Sequence, residues 1–122
     1  MNPFPEEWEL LSLFESEPTS IDRGVPWFYN CLIFETTRDQ DHVRCELEPG
    51  YEILRLRWWH GSQERLALDL HWVHSLRVVT GGGRDYLIAA FRDEHLLDLE
   101  FHLKPVVCLR WGTSSRLPDD RS

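Results

Sequence analysis

Residues 43–59 read VRCELEPGYEILRLRWW, and this stretch decides the fold. Val43, Cys45 and Leu47 alternate with Arg44, Glu46 and Glu48. After Pro49-Gly50 the chain resumes with Leu54, Leu56 and Trp58 alternating with Arg55 and Arg57. A period of two puts the apolar set on one face of a strand and the charged set on the other. A loop from Pro49 to Glu52 then sets Glu46 opposite Arg55, Arg44 opposite Arg57 and Cys45 opposite Leu56. A slip of one residue would send the two apolar sets to opposite faces, so the register is well specified. An exposed Glu–Arg pair across the strands contributes only ~0.2–1 kcal/mol. Apolar alternation does most of the selecting.

The same period runs outward in both directions. Upstream, Trp27–Thr37 is rich in aromatic and branched residues and reads as a first strand, with a polar turn at Arg38–Asp41. Downstream, His60-Gly61-Ser62 is a turn, and Leu66, Leu68 and Leu70 alternate with Ala67, Asp69 and His71. A kink near Val73–Ser75 separates that strand from the next, Leu76–Thr80. Gly81-Gly82-Gly83 supplies a tight connection into Tyr86–Phe91. Leu97, Leu99, Phe101 and Leu103 alternate with Asp98, Glu100, His102 and Lys104, and after Pro105 a last strand holds Val107, Leu109 and Trp111. The connections are too short for parallel crossovers, which predicts seven or eight strands in antiparallel meander order.

Before the strands lies a helix. Pro5 suits its first turn, and Glu6 and Glu7 complement its positive end. Leu10, Leu11, Leu13 and Phe14 gather on one side with Trp8 at the margin, and Pro18 stops it. Thr19–Pro26 reads as a loop. The expected fold is α+β, mainly β: an N-terminal helix, with Leu10, Leu11 and Phe14 turned inward, packed on a curved antiparallel sheet or open barrel. One globular domain is expected over residues 1–112 and a flexible tail over 113–122.

The chain has 122 residues and a formal charge of −8, from 13 Lys and Arg against 21 Asp and Glu. A nucleic-acid binder needs a basic stripe to replace counterions along the phosphates, and this sequence shows none. Met1 is followed by Asn-Pro-Phe-Pro-Glu-Glu rather than a basic and then apolar run, and no apolar stretch is long enough to span a bilayer. Three cysteines, Cys31, Cys45 and Cys108, follow no CxxC spacing. A reduced, cytoplasmic protein is expected, with no membrane partner.

Candidate chemical sites are few. Asp69-Leu70-His71-Trp72-Val73-His74 has metal-like residues, and His60 or His102 would extend the set. In a continuous strand, however, Asp69 and His71 share a face that His74 does not, so zinc geometry is not met. Cys45 or Cys108 with His102 offers a nucleophile and base but no third orienting group, and Cys108 has the parity of an outward residue beside Arg110. Thr80–Arg84 lies between strands, where a phosphate loop would lead into a helix. Asp69 with Asp98 or Glu100 is a carboxylate pair on the solvated side. No cofactor, metal or catalytic residue is assigned.

Six tryptophans, Trp8, Trp27, Trp58, Trp59, Trp72 and Trp111, are many for this length. Trp59 falls on the face of Arg55 and Arg57, and Trp72 sits where the alternation breaks. An aromatic anchor ringed by charge is the usual form of an interface hot spot. The candidate protein-binding residues are therefore Trp59, Arg55, Arg57, Asp69, Asp98 and Glu100, on one wet face, together with Trp72 at the break.

In its size, its charge of −8, its lack of a visible targeting signal and its acidic, Trp-rich surface pattern, the whole chain resembles the small acidic immunity proteins of bacterial polymorphic toxin systems. General character carries the resemblance, not a signature motif, so no family residue is transferred. It implies neutralisation of a cognate toxin by direct binding, with a basic toxin domain as the partner that suits an acidic surface. Two other classes stay open. One is a structural domain whose edge strands pair into a homodimer. The other is a small-ligand or enzyme-like barrel with His71 or Asp69 at the mouth of a pocket.

Overall fold

Strands with one apolar face need a second layer to cover that face. In the computed structural model, which describes residues 1–20, 24 and 29–114, the second layer is another sheet. After helix α1 (Glu7–Phe14), the first sheet holds β1 (Thr19–Ser20), β2 (Leu32–Arg38), β3 (Asp41–Glu48), β4 (Ile53–His60) and β5 (Gln63–Leu70). The second holds β6 (Val73–Val79), β7 (Asp85–Phe91), β8 (Leu99–Lys104) and β9 (Cys108–Arg110). Within each sheet every strand pairs antiparallel with its neighbour in sequence, and neither sheet closes on itself. The chain is thus mainly β, with an N-terminal helix and meander order. Its strands are divided between two sheets rather than running as one.

The β3–β4 hairpin has the register its alternation demands. Arg44 lies opposite Arg57, Cys45 opposite Leu56 and Glu46 opposite Arg55. Pro49–Tyr51 makes a 3-10 turn, and Glu52 closes the connection with φ +59. The inward residues Val43, Cys45, Leu47, Leu54 and Leu56 are fully buried. Opposing them from the second sheet are Leu76, Leu87, Leu99, Phe101 and Leu103, also fully buried. Trp58 meets Phe101 edge-on at 6.5 Å between ring centres, which joins the two layers.

Helix α1 bridges the sheets, touching β2 of one and β6 of the other. Glu6 opens it, its backbone N–H donating to Glu9 Oε1 at 2.9 Å. Leu10, Leu13 and Phe14 are fully buried, and Phe14 stacks on Phe34 at 4.9 Å. Leu11, expected to point inward, is half-buried, so Leu13 takes its place. The reason is angular: positions 10, 13 and 14 lie on one stripe of a 3.6-residue helix, and position 11 lies on its flank.

Several boundaries differ from the sequence reading. The first long strand begins at Leu32; Trp27 and Phe28 lie outside the described residues, as do residues 21–23, 25 and 26 of the expected loop. Thr19 and Ser20, expected in that loop, pair with Ile33 and Leu32. A bulge does fall between Val73 and Ser75, but the chain leaves the first sheet earlier, at Trp72. Near the C-terminus, Thr113 bridges Leu96 and the Ser114 N–H donates to His95 O at 2.7 Å. Residues 115–122, the rest of the expected tail, lie outside the described residues.

Candidate functional site

The seven residues singled out by sequence fall in three places. Arg55, Arg57, Trp59 and Asp69 share the outer face of the first sheet, because each lies opposite an outward neighbour in the β3–β4–β5 register. Arg55 donates from Nη1 to Glu48 Oε2 at 2.7 Å and from Nε to Asp69 Oδ1 at 3.0 Å. The Glu48 hydrogen bond, more than any other group, raises the Arg55 pKa above its ordinary value. Glu46, though opposite Arg55, pairs with Arg44 at 3.5 Å, and Arg44 also reaches Glu35 at 3.3 Å. Arg57 spends its Nη1 on the carbonyls of Leu56 and Leu68, at 3.0 and 2.9 Å. Trp59 is half-buried, with its ring 5.6 Å from His42. The charges on this face largely satisfy one another. Such half-exposed pairs contribute little stability, but they leave few free cations for a partner.

Trp72 stands apart, at the crossover between the sheets. Its side chain is 68% exposed and its φ is +62. Holding a bulky L residue there costs on the order of 1–3 kcal/mol, and such strain persists only where the surroundings impose it. Here they do. Arg92 N–H donates to Trp72 O at 3.1 Å, and Val73 N–H donates to Glu52 O at 3.0 Å. The side chains behind those two contacts also lock together, Arg92 Nε to Glu52 Oε1 at 2.8 Å and Nη2 to Oε2. The Arg92 hydrogen bond holds the Glu52 carboxyl below its ordinary pKa. Next to Glu52, Tyr51 is also exposed. Trp72 is thus an aromatic side chain presented to solvent on a pinned backbone.

Asp98 and Glu100 do not join this group: Glu100 is in β8 of the second sheet, and Asp98 immediately precedes that strand. Directly opposite residues in antiparallel strands share a face. Arg77, Ile88, Glu100 and Arg110 therefore form one row across the outer face of that sheet, and Val79, Tyr86, His102 and Cys108 the next. His102 is buried beneath Tyr86, stacked at 4.3 Å and 15°, and its Nε2 meets Glu100 Oε1 at 3.1 Å. Asp98 is exposed. Two hollows lie at the β8–β9 side. One, of about 240 Å³, is lined by Arg84, His102, Pro105, Val106, Cys108 and Arg110. The other, of about 480 Å³, includes Asp98, Glu100 and Arg110. In the sequence Arg84 figures only as part of a rejected phosphate loop and Arg110 only as a neighbour of Cys108, and Arg77 has no role. Strand parity marks Arg77 and Arg110 as outward, but nothing local brings them together with Arg84.

The chemical candidates are dispersed. His71 Nε2 lies 3.8 Å from Asp69 Oδ1, and among the described residues no three His, Cys, Asp or Glu side chains converge as a metal site. Glu100 is the third group that the Cys108–His102 pairing lacked in sequence. Among the described residues, however, no hydrogen bond joins Cys108 to His102, so no relay is formed. Cys45 is fully buried, and burial pushes its thiol pKa far up. Gly81, Gly82 and Gly83 all have positive φ in the turn between β6 and β7. Asp69 is on the first sheet and Glu100 on the second, with Asp98 just before its strand, which separates the expected carboxylate pair. No helix among the described residues is long and apolar enough to cross a membrane.

No protein-family model and no curated protein sequence matches the chain. Among solved structures it is similar to a chain of the contact-dependent growth inhibition toxin–immunity protein complex from Klebsiella pneumoniae 342. The TM-score is 0.77 at 21% identity, with 91% of this chain and 96% of that chain covered. At this identity the likeness establishes a shared fold over nearly the whole of both chains.

Proposed function

We propose that this protein is an immunity protein that neutralises a cognate toxin by binding it directly, in the cytoplasm of the cell that makes it. One observation carries the reading: the fold is shared, over nearly the whole of both chains, with a chain of a toxin–immunity protein complex. The immunity role is favoured over the toxin role by the site chemistry. Cys45 is buried, and His60 and His102 are engaged by Asp41 and Glu100. Cys108 makes no hydrogen bond to His102 among the described residues, and Asp69 lies on a different sheet from Glu100. The pinned, exposed Trp72 supports protein binding, since a preorganised aromatic anchor loses little entropy on docking. The net charge of −8 suits attraction of a basic toxin domain at long range.

The test is co-expression with the toxin domain encoded beside it. Growth should be restored by the wild-type chain, and the two proteins should co-purify. Continued killing with the chain soluble and abundant overturns the reading. Killing by this chain alone assigns it the opposite role. A second reading, a homodimer, is favoured by one feature: β5 is an eight-residue edge strand that, among the described residues, pairs only with β4. Light scattering separates the two, because an immunity monomer has the mass of one chain.

A further inference from the structure

Acidic side chains outnumber basic ones in this protein by 21 to 13, so an arginine left without a carboxylate partner needs an explanation. Among the described residues Arg57 and Arg65 of the first sheet have none within salt-bridge distance, Arg57 being turned to backbone carbonyls, and neither have Arg77, Arg84 and Arg110, all three of them exposed. They come from β6, the β6–β7 turn and β9, yet they gather on one side of the second sheet. Arg77 and Arg110 stand at the two ends of one cross-strand row, roughly 14 Å apart for three strand spacings. Arg84 and Arg110 line the same hollow of about 240 Å³, together with His102. Glu100, the carboxylate opposite Arg110, turns instead to His102 Nε2. Between the arginines lie the half-buried side chains of Val79, Tyr86 and Ile88. Aromatic, branched and arginine side chains with few lysines are what the centre of a protein interface is made of.

We propose that the outer face of the second sheet is the docking surface for an acidic stretch of the partner protein, with one of its carboxylates seated in the hollow between Arg84 and Arg110. The proposal rests on the toxin-binding reading and names the surface and the contact chemistry. Guanidinium forks fit carboxylates bidentately, and the apolar strip of Tyr86 and Ile88 would exclude water from those bonds. This agrees with attraction of a basic partner at long range. Steering depends on net charge over a Debye length or more, whereas docking depends on the few groups that become desolvated. The outer face of the first sheet makes a poorer site: Arg44 and Arg55 already hold Glu35, Glu46, Glu48 and Asp69, Arg57 is turned to backbone carbonyls, and Arg65 has no second free arginine beside it to share a ligand.

The test titrates the full chain with a hexaglutamate peptide, read by two-dimensional amide NMR, with hexaglutamine as the uncharged control and a hexauridine oligonucleotide as the other anion. Hexaglutamate should shift the amides of Arg84, His102, Cys108 and Arg110, and hexaglutamine should not. Arg84→Glu and Arg110→Glu should each abolish the shifts. Arg65→Glu, which changes the charge equally on β5, should leave them in place. Shifts mapping elsewhere, equal shifts with hexaglutamine, stronger binding of the oligonucleotide, or no shift at millimolar peptide each overturn the proposal. With the toxin domain itself, Arg84→Glu and Arg110→Glu should each weaken binding about 30-fold and Arg65→Glu less than about 3-fold. If the toxin binds all variants equally, the surface is wrong and the immunity reading stands. If the wild-type chain does not bind the toxin, that reading fails, and the peptide titration still decides the surface.

Discussion

Lys104 Nζ donates to Glu15 Oε1 at 2.8 Å, and the same oxygen accepts Arg38 Nη2 at 2.7 Å. Glu15 sits just past the end of α1 with φ +54, so one carboxylate ties the helix to the last residue of β2 and the last residue of β8. Both sheets are anchored to the helix through it.

The pH dependence of this link follows from its sign. The hydrogen bond from Lys104, then that from Arg38, holds the Glu15 pKa below its ordinary value of 4.5. A carboxyl with a depressed folded pKa contributes stability that is complete above its unfolded pKa and is lost as pH falls through the folded value. Glu15→Gln should therefore lower the urea midpoint at pH 7 by the small amount typical of exposed pairs. Wild type and variant should converge in acid, below the ordinary glutamate range. A gap that persists unchanged in acid would show that Glu15 acts by packing instead of charge.

Trp72→Gly separates strain from recognition. Glycine adopts a φ of +62 without steric cost, which offsets its greater freedom in the unfolded chain. Stability should stay within about 1 kcal/mol of wild type or rise. Toxin affinity, by contrast, should fall about 30-fold if the ring is an anchor. Calorimetric unfolding and titration on the same sample decide it, and an unaltered affinity removes Trp72 from the interface.

Thiol reactivity should follow burial. Cys45 is fully buried and Cys31 is raised in pKa, by burial first and then by Glu48, while Cys108 is half-exposed beside Arg110. An aromatic disulfide reagent at neutral pH should modify Cys108 first, Cys31 more slowly, and Cys45 only upon unfolding. Rapid reaction of Cys45 in the native state would contradict its place between the sheets.

Phe101→Ala should cost ~3–5 kcal/mol, because its fully buried ring fills the space under Trp58. Tyr51→Ala, at a side chain 72% exposed, should change stability by no more than ~0.5 kcal/mol. Denaturant unfolding followed by tryptophan fluorescence measures both. Equal losses in the two variants would mean that the sheets do not pack through Phe101.

Part of this architecture was legible along the chain. Alternation placed Cys45 with Leu56 and Glu46 with Arg55, because a period of two assigns every residue to a face and the turn length then sets the register. The same parity put Cys108 outward, where it lies opposite His102. Helix periodicity gathered Leu10, Leu11, Leu13 and Phe14 on one side, but not the order of their burial, which is full for Leu13 and partial for Leu11. The single wet face expected for Trp59, Arg55, Arg57, Asp69, Asp98 and Glu100 does not exist, because alternation says nothing about which sheet a strand joins.

By itself, then, the sequence determined the long strands, their antiparallel order and the inward side of those with clear alternation. All of these follow from local alternation and short turns. Only the tertiary structure decided that the chain changes sheets at Trp72, an event set by a positive φ and by distant contacts from Glu52 and Arg92. That change sends Asp98 and Glu100 away from Arg55 and Asp69 and brings Arg77, Arg84 and Arg110 together. Whether an arginine is paired or free depends on which carboxylates fold to within reach of it, and that information is not present in any one segment of the chain.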